Sequence, residues 1–431
     1  MSDTLLVAGG RVLRPDLTVE RADVLASRET GRIVDVGDDL DRSPDERLDA
    51  TGALVVPGLV NAHTHVAMTL LRGYADDKPL DAWLREDVWP VEAELRAGDV
   101  YAGARLGLVE MIRSGTTLCS DMYFRMDEVC RAVAETGLRA RLGRGAVTVG
   151  EDEAAAREEV AETVRVAEAL DGRADGRVRG AVCPHSLTTV SEARLEQAAA
   201  GAREAGLPLH YHANETPAEV EPYTQRGVRP LAFARDRGLL QAGDLLAHCV
   251  HVDDEEIGLL AETGAAVLHC PAANAKLASG IAPVARLRDA GVRVALGTDG
   301  PASNNDLDSF DELRDAAMVG KLAAEDAGAV PAAAAVELAT AAGADALGFD
   351  AGRVAAGRLA DLAVVDLSDP HLVPEHDLVS HLAYAARGSD VRHTVCGGRV
   401  LMRDRELLVV DEAAVVREAR EHARALVDRA G

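Results

Sequence analysis

Lysine is nearly absent from this chain of 431 residues, because only three of its 46 basic residues are lysines (Lys78, Lys276 and Lys321). Acidic residues number 72, so the formal net charge at pH 7 is −26. A surface this acidic repels nucleic acids and anionic membranes, and we expect neither as a partner. A GC-rich genome would explain the preference for arginine but not the excess of acid. The composition therefore favours a protein adapted to high salt, where screening weakens self-repulsion.

Signals of a disulfide-stabilised, secreted or membrane protein are also missing. The six cysteines are scattered and form no CxxC pair, unlike the dense cysteines of a disulfide scaffold. No run of about 18 apolar residues is present to span a bilayer. The first residues, MSDTLLVAGGRVLRPD, lack the basic flank and apolar core of a signal peptide. We expect a cytoplasmic protein that forms a homo-oligomer, either a dimer or a tetramer.

The two ends of the chain share a β character that the middle does not have. Short strand and glycine-turn patterns occur at 5–14 and 54–56, and again at 358–367 and 393–411. This arrangement predicts a small β-sandwich domain assembled from both termini, residues 1–56 and 353–431. The intervening residues, 57–352, form the predicted catalytic domain.

The middle of the chain alternates apolar strands with alanine-rich amphipathic helices, for example the helix predicted at 151–170. The predicted strands lie at 56–65, 116–122, 138–147, 178–186, 207–215, 244–251, 265–274 and 292–300. Eight strand–helix units of this size predict a (β/α)8 TIM-type barrel. Nearly every strand ends in a polar or charged residue, as expected where a barrel enzyme gathers its functional groups.

Four of these strand-end residues form the predicted metal site. His63 and His65 are two residues apart in NAHTH, so the period of a strand directs both imidazoles to the same side. His212 ends the fifth strand and Asp299 ends the last one. Three imidazoles and a carboxylate suit Zn²⁺, and we expect one zinc ion per chain, with Fe²⁺ as an alternative.

Other histidines have structural interpretations. His210 lies one step deeper on the same side as His212, which favours a packed core histidine, and His251 and His269 are interpreted in the same way. His248 lies at the end of the sixth strand, where a group is needed to hold the attacking water. For His248 we therefore favour a catalytic role over a structural one.

The chemistry permitted by these residues is hydrolytic deamination. A zinc ion lowers the pKa of its water to about 7, Asp299 can take a proton from that water, and His248 can polarise it. Glu215 stands three residues after His212, within reach of a substrate ring nitrogen. An aminohydrolase needs such an acid to protonate the ring and to help ammonia leave. A solvated loop acid is the alternative interpretation of Glu215.

The chain also resembles a known group, the 5'-methylthioadenosine/S-adenosylhomocysteine deaminase family of the amidohydrolase superfamily. The resemblance extends over essentially the whole chain. It is most specific in the HxH pair, the HxxE segment at 212–215, the histidine of strand six and the TDGxxSNND segment at 298–306. It implies a zinc-dependent aminohydrolase that converts an adenosine-type nucleoside to its inosine analogue and ammonia.

The resemblance also implies residue roles that the sequence pattern alone does not. Glu92, in WPVEAEL, matches the acid that holds the ribose hydroxyls, and Arg144 and His185 match positions that contact the nucleoside. Glu215 matches the proton-transfer acid and also contacts substrate, as does Asp299. Without the resemblance, Glu92 and Arg144 would be ordinary solvated side chains.

Two alternative functions remain open at this point. The same catalytic site could act on another N-heterocycle, such as guanine, cytosine or a triazine, because those hydrolases share the scaffold. A catalytically inactive barrel that serves as an assembly scaffold is the second alternative. The four intact candidate ligands argue against it, since inactive relatives usually lose metal ligands.

Overall fold

The computed structural model describes residues 3–38, 40 and 43–431. Its strands, in chain order, are β1 (Thr4–Ala8), β2 (Arg11–Leu13), β3 (Val19–Arg21), β4 (Asp23–Ser27), β5 (Arg32–Gly37), β6 (Glu46–Asp49), β7 (Ala53–Pro57), β8 (Leu59–Thr64), β9 (Thr116–Tyr123), β10 (Arg139–Ala146), β11 (Val178–Gly180), β12 (Cys183–Pro184), β13 (His210–Ala213), β14 (Leu245–His248), β15 (Ala266–His269), β16 (Arg293–Leu296), β17 (Leu362–Asp366), β18 (Val391–Cys396), β19 (Arg399–Arg403) and β20 (Glu406–Leu407).

The α-helices of the described residues are α1 (Leu80–Ala82), α2 (Trp89–Glu92), α3 (Ala97–Arg113), α4 (Met126–Thr136), α5 (Glu153–Leu170), α6 (Glu192–Ala205), α7 (Pro217–Thr224), α8 (Pro230–Asp236), α9 (Asp254–Thr263), α10 (Pro271–Lys276), α11 (Val284–Asp289), α12 (Ser309–Ala324), α13 (Ala332–Leu338), α14 (Ala341–Ala346), α15 (Leu378–Tyr384) and α16 (Glu412–Ala430). Short 3₁₀ segments occur at Val66–Leu71, Pro370–Leu372 and Gly388–Asp390, and a π-helical segment at Trp83–Val88 joins α1 to α2. None of these helices combines the length and apolar character needed to cross a bilayer.

The middle of the chain forms two parallel sheets, with helices between successive strands except β11 and β12. One sheet has the order β11-β10-β9-β8, with β12 also paired to β10, and the other has the order β13-β14-β15-β16. Every residue of β8, β9 and β13 is buried, as expected for parallel strands covered on both faces.

Single parallel bridges join the two sheets at both margins. Val182 pairs with Leu209 and Ser186 with His212, while Thr64 pairs with Asp299 at the opposite margin. The last pair brings the first of these strands, β8, next to the residue that follows β16, the last of them. The carboxyl ends of the first and last parallel strands therefore lie side by side.

The fourth predicted strand, 178–186, is divided in the structure into β11 and β12. Both pieces pair with β10 in one continuous register, from Ala140 opposite Val178 to Gly145 opposite Cys183. At the end of β11 the chain passes very close to α5, because a Cβ on Gly180 would lie 2.1 Å from the carbonyl oxygen of Ala167. β13 to β16 are also shorter than predicted, because the residues at the predicted strand ends lie in the following loops or, for Asn274, in α10.

The strands from the two chain ends pair with each other, as the shared β pattern predicts. A seven-stranded sheet has the order β20-β19-β18-β17-β7-β2-β3, so β7 pairs directly with β17. A four-stranded sheet, β5-β4-β1-β6, lies against it. Side chains of both sheets share one apolar core, to which Leu5, Ile33, Val55 and Val364 contribute.

A buried ion pair joins this terminal region to the parallel sheets. Arg139 at the start of β10 donates to both carboxylate oxygens of Asp361, over 2.7 and 3.2 Å. Asp361 also accepts a hydrogen bond from the backbone N–H of Gly397, over 2.6 Å. Bidentate pairing of this kind supplies the partners that a buried carboxylate needs.

Candidate metal centre and active site

Four side chains converge at the carboxyl ends of the parallel strands. His63 lies in β8 and His65 directly after it, His212 lies in β13, and Asp299 follows β16. One ligand atom from each residue lies within 4.8 Å of the others. The predicted metal ligands are thus brought together, although 236 positions separate the first and the last of them along the chain.

The facing atoms of the cluster are all of the kind that binds a metal. Asp299 Oδ1 lies 3.3 Å from His63 Nε2 and 3.2 Å from His65 Nε2. His212 Nε2 lies 3.3 Å from His65 Nε2. The four side chains therefore present three imidazole nitrogens and one carboxylate oxygen toward a common point.

Backbone carbonyls fix the tautomers of two of the imidazoles. His65 Nδ1 donates to the carbonyl of Met122 over 2.5 Å, and His212 Nδ1 donates to the carbonyl of His185 over 2.8 Å. A carbonyl oxygen can only accept, so the proton of each neutral ring lies on Nδ1. In the neutral form of each ring, Nε2 keeps a free lone pair, which is the arrangement of a metal-bound histidine.

His63 is oriented by a second histidine. Its Nδ1 lies 2.8 Å from His210 Nε2, and His210 Nδ1 lies 3.3 Å from the hydroxyl of Ser120. His63 Nε2 is buried and makes no hydrogen bond of good geometry among the described residues, although Asp299 Oδ1 lies 3.3 Å away. An orphaned buried nitrogen is rare in folded proteins, and this one points to a ligand that the polypeptide does not supply.

The backbone at Asp299 is shaped for the site. Asp299 has a left-handed φ of 58°, which is uncommon for a residue with a side chain and concentrates at functional sites. Ser303 donates to Asp299 Oδ2 over 2.5 Å, so the two carboxylate oxygens have different partners. Gly297 lets the chain approach β8, because a Cβ there would lie 2.7 Å from the backbone nitrogen of His63.

The electrostatics of the cluster fit a divalent cation. Burial lowers the pKa of His63 to about 3 and holds the pKa of His212 well below its usual value. Both rings are therefore neutral and able to donate a lone pair at ordinary pH. His65 differs, because the hydrogen bond and charge of Asp299 outweigh burial and raise its pKa to about 9. A metal ion would take the place of the proton on that ring. Imidazoles with one carboxylate suit a dication of the Zn²⁺ type.

Glu215 lies beside the cluster in a buried position, with its side chain 6% exposed. Ser279 donates to its Oε1 over 3.1 Å, and the backbone N–H of Glu215 donates to Glu219 over 2.7 Å. Burial, and secondarily the charge of Asp299, raises the pKa of Glu215 to about 8. The carboxyl therefore holds a proton at neutral pH, as a general acid requires.

His248 faces both Glu215 and the cluster. Its Nε2 lies 3.6 Å from Glu215 Oε2, and its ring stacks on that of His212 with 5.4 Å between centroids. The amide nitrogen of Asn274 donates to His248 Nδ1 over 3.0 Å, which places the ring proton on Nε2. His248 also has a left-handed φ of 72°, so its backbone is strained at the same edge as that of Asp299.

Glu92 ends α2, after the π-helical segment, and reaches the edge of the same site. Tyr123 at the end of β9 donates to Glu92 Oε1 over 2.5 Å, and the ring of Tyr123 lies 6.2 Å from that of His65. Burial raises the pKa of Glu92 to about 7. Glu92 is thus a partly desolvated acceptor near the cluster and not a solvated helix acid.

His185 and Arg144, the remaining residues implied by the family resemblance, differ in their surroundings. His185 lies against His212 with 4.6 Å between ring centroids, and its Nδ1 lies 2.9 Å from the hydroxyl of Thr189. The guanidinium of Arg144 pairs with Glu159 of α5 over 2.7 and 2.8 Å. His185 is therefore part of the cluster's immediate surroundings, whereas the contacts of Arg144 are with a helix.

Sequence reasoning missed several residues that support the site. Tyr123, Asn274, Ser279 and Ser303 each donate a hydrogen bond to one of its functional groups. Tyr123 carried a signal, because it lies two residues after Asp121 and the period-2 spacing of the HxH pair recurs there. The two serines and Asn274 lie in loops and a short helix whose local pattern does not distinguish them.

The chain matches the model of the amidohydrolase family over residues 54–401. It is 65% identical over 428 residues, 99% of either chain, to a 5-methylthioadenosine/S-adenosylhomocysteine deaminase of Haloarcula marismortui. It is 45% identical over 417 residues, covering 96% of this chain and 97% of the relative, to a 5'-deoxyadenosine deaminase of Methanothermobacter thermautotrophicus.

Solved structures agree with these sequence relatives. A zinc-bound adenosine deaminase from Xanthomonas campestris superposes with a TM-score of 0.90 at 37% identity, over 98% of either chain. An atrazine chlorohydrolase from Arthrobacter aurescens, crystallised with zinc, superposes with a TM-score of 0.89 at 25% identity, over 97% of this chain and 100% of the other. These relatives imply a TIM-barrel-type fold, and the chain belongs to the amidohydrolase family.

Proposed function

We propose that this amidohydrolase removes the amino group of an adenosine-type nucleoside by hydrolysis, yielding the inosine analogue and ammonia. The observation that carries the proposal is the position of Glu215, a carboxyl with a pKa of about 8, beside a four-residue metal-ligand cluster. A hydrolase of this type needs an activated water and a proton donor on one side of the substrate ring.

We propose that the two parallel sheets form one closed (β/α)8 barrel at residues 57–352. The single bridges at both margins support this arrangement. The shared core of the two terminal sheets supports a β-sandwich domain built from residues 1–56 and 353–431. In this arrangement the site lies at the carboxyl ends of the barrel strands, where barrel enzymes bind their substrates.

His63, His65, His212 and Asp299 would hold one Zn²⁺ per chain, the metal crystallised with two structural relatives. When bound, that ion supplies Lewis acidity and lowers the pKa of a coordinated water to about 7. Asp299 presents Oδ1 to the imidazole nitrogens and holds Oδ2 against Ser303. It can therefore contribute a ligand oxygen and still accept a proton from the attacking water at Oδ2.

Glu215 and His248 divide the remaining proton handling. The protonated carboxyl of Glu215 delivers its proton to a ring nitrogen, which makes the carbon bearing the amino group electrophilic. His248 donates through Nε2 toward the attacking oxygen and keeps it oriented. Water adds to that carbon and gives one proton to Asp299, which passes it to the amino group. The C–N bond then breaks and ammonia leaves, while the carboxylate of Glu215 takes the remaining hydroxyl proton. A carbonyl is left on the ring, and the proton that Glu215 first delivered stays on the ring nitrogen.

The nucleoside preference rests on Glu92 and on the relatives. Glu92 offers a partly buried carboxylate on the Tyr123 side of the cluster, where it would accept hydrogen bonds from the two ribose hydroxyls. His185 lies against His212 with its ring tilted by 44° and would contact the purine, and Arg144 would contact the nucleoside after exchanging its Glu159 partner. The named substrates of the relatives are 5-methylthioadenosine, S-adenosylhomocysteine and 5'-deoxyadenosine.

Hydrolysis of a triazine is a second candidate function, because the atrazine chlorohydrolase has nearly the same TM-score as the adenosine deaminase. Glu92 favours the nucleoside, since a triazine has no vicinal hydroxyls to pair with a buried acceptor. The intact ligand cluster disfavours a catalytically inactive scaffold.

Ammonia release across a panel of nucleosides, free bases and triazines tests the proposal. We expect adenosine analogues to be deaminated fastest, and His63→Ala to lose both its zinc, measured by elemental analysis, and its activity. Faster turnover of guanine or a triazine would overturn the nucleoside assignment. One zinc per chain and full activity in His63→Ala would overturn the metal site.

A further inference from the structure

The segment 274–279, called the turn 274–279 below, comprises the last three residues of α10 and the turn that follows them. It contacts two functional side chains, one at the end of β14 and one in the loop after β13. At one end, the amide nitrogen of Asn274 donates to His248 Nδ1 over 3.0 Å. At the other end, the hydroxyl of Ser279 donates to Glu215 Oε1 over 3.1 Å. Both Asn274 and Ser279 are buried, at 1% and 5% exposure. One short piece of chain therefore fixes the orientation of both His248 and Glu215.

The turn is itself held rigidly. The backbone N–H of Ser279 donates to the carbonyl of Asn274 over 2.9 Å, which closes the turn between its two functional ends. His251 Nε2 donates to the carbonyl of Ser279 over 2.7 Å. His251, which its sequence context marks as a structural histidine, thus fixes the end of the turn that contacts Glu215.

Lys276, in the middle of the turn, anchors it to two other segments at the site. Its ammonium pairs with Asp76 over 2.5 Å and donates to the carbonyl of Ala302 over 3.1 Å. Ala302 follows Asp299 by three residues, and Asp76 precedes the helical segment that ends at Glu92. One of the three lysines of this lysine-poor chain therefore connects the turn to the segments that carry Asp299 and Glu92.

The contacts have a directed chemical effect. Ser279 occupies Oε1 of Glu215 and leaves Oε2 facing His248 Nε2, 3.6 Å away. Asn274 occupies Nδ1 of His248 and leaves the Nε2–H directed into the site. Ser279 and Asn274 thus determine which atom of Glu215 and of His248 is free to act on substrate or water. Residues that do not touch the substrate can support catalysis in this way.

We propose that the turn 274–279 is a positioning element that aligns the proton-transferring Glu215 with His248, and that Ser279 and Asn274 are its positioning residues. The proposal rests on the proposed deaminase function, because Glu215 and His248 have these roles only there. Neither positioning residue needs to touch substrate. Their contribution is to hold reacting atoms in line, where small displacements are costly.

A double-mutant cycle on the full-length enzyme tests this inference through Ser279. We expect Ser279→Ala to lower kcat about 10-fold while KM and zinc content stay near wild type. Ser279→Thr, which keeps the hydroxyl, should recover most of that loss. In a Glu215→Gln background the Ser279→Ala change should cost nothing further, because the group on which it acts has already been lost.

Asn274 is tested in the same way against His248, with Asn274→Ala alone and combined with His248→Gln. Ser114→Ala is the matched control, because it removes a buried serine hydroxyl that bonds only carbonyls of its own helix. The proposal would be overturned if the fold-loss in kcat of each double variant equalled the product of the losses of its two single variants. It would also be overturned if kcat were unchanged in Ser279→Ala and Asn274→Ala. The cycle is measured on whichever substrate the wild type turns over, so an incorrect substrate assignment would not be mistaken for failure of the positioning role.

Discussion

His63 Nδ1 and His210 Nε2 lie 2.8 Å apart at the base of the ligand cluster. Both rings are fully buried, and the other ring nitrogen of His210, Nδ1, lies 3.3 Å from the hydroxyl of Ser120. Because His63 Nε2 faces the cluster, its proton belongs on Nδ1, where it is donated to His210. His210 is packed in the core, as its sequence position predicts, and it also orients a ligand.

His210→Gln should therefore weaken metal binding without removing a ligand. Outer partners of metal-bound histidines typically contribute 10–100-fold in metal affinity or activity, and we expect a loss of about that size. Competition with a chelator of known zinc affinity measures it. His393→Gln is the control, since this buried histidine lies in β18 of the terminal sheet and not in the parallel sheets. Equal zinc affinity in wild type and His210→Gln would show that His63 is oriented without this contact.

Glu215→Gln should retain zinc and nucleoside binding but lose most of its turnover. The amide keeps the size of the side chain and cannot deliver a proton, and a general acid or base contributes about 10²–10⁴-fold. Single-turnover kinetics, in which formation of the deaminated product is followed, would measure the decrease in the rate of the chemical step.

The matched control for this change is Glu221→Gln on the exposed side of α7. It alters the same functional group six residues away and should leave kcat unchanged. Normal turnover by Glu215→Gln would assign the proton to another donor, with His248 as the nearest candidate.

The convergence of the four candidate metal ligands at the carboxyl ends of parallel strands was predictable from local patterns. The two-residue period of a strand shows which side chains share a face, so the HxH pair could be assigned to one side of an apolar strand. The polar residues at the ends of the other strands could be placed at the same edge. Cluster formation by His63, His65, His212 and Asp299 confirms the predicted convergence. The deaminase assignment required the family resemblance in addition, because fold and metal site alone serve many substrates.

The supporting contacts were not predictable, since they depend on tertiary packing. Ser279 reaches Glu215 across 64 residues, and Asn274 reaches His248 across 26. A serine in LASG or an asparagine in PAAN has no periodicity that marks it. The division of the fourth strand was missed for a similar reason, because it lies where the chain passes close to the Ala167 carbonyl of a helix.

Removal of the Glu92 carboxylate should narrow the preference for nucleosides over free bases. A buried acceptor left unpaired disfavours ligands that lack hydroxyls, and hydrogen bonds to charged groups are worth about 1.5–3 kcal/mol each. Glu92→Ala should therefore reduce kcat/KM for 5'-deoxyadenosine by at least about 10-fold and leave that for adenine nearly constant. Tyr123→Phe, which removes only the hydroxyl bonded to Glu92, is the graded control. Parallel losses for nucleoside and base would exclude a ribose contact.

The pKa of Glu92, about 7, also predicts a pH effect on binding. A raised pKa means that the carboxyl becomes neutral as the pH falls through 7, and a neutral acid is a poorer acceptor for two hydroxyls. The KM for a nucleoside should therefore increase as the pH is lowered from 8 to 6. These limits lie about one unit on either side of that pKa. Glu92→Gln, which cannot ionise, should show a flat KM over this interval. An equally steep rise in the variant would locate the titrating group elsewhere.

Salt should stabilise the protein. A net charge of −26 makes the folded chain repel itself, and the Debye length falls to about 3 Å at 1 M salt. We expect a higher melting temperature in molar KCl than in dilute buffer, which thermal scans can measure. Sucrose at matched osmolality is the control for non-ionic stabilisation. A melting temperature that stays flat or falls with KCl would assign the arginine bias to genome composition, despite the halophilic relative.

The bridge between Thr64 and Asp299 sets the order in which the enzyme can become functional during synthesis. Asp299 N–H donates to the carbonyl of His63 over 3.0 Å, so the carboxylate reaches its place only when the last parallel strand docks beside the first. On the ribosome, about 300 residues must emerge before the fourth ligand is available, whereas both histidines of β8 are made within the first 65. A chain that ends before residue 299 offers at most three of the four candidate ligands. Completion of the four-residue cluster thus requires that the chain has been made and folded past β16, the last of its parallel strands.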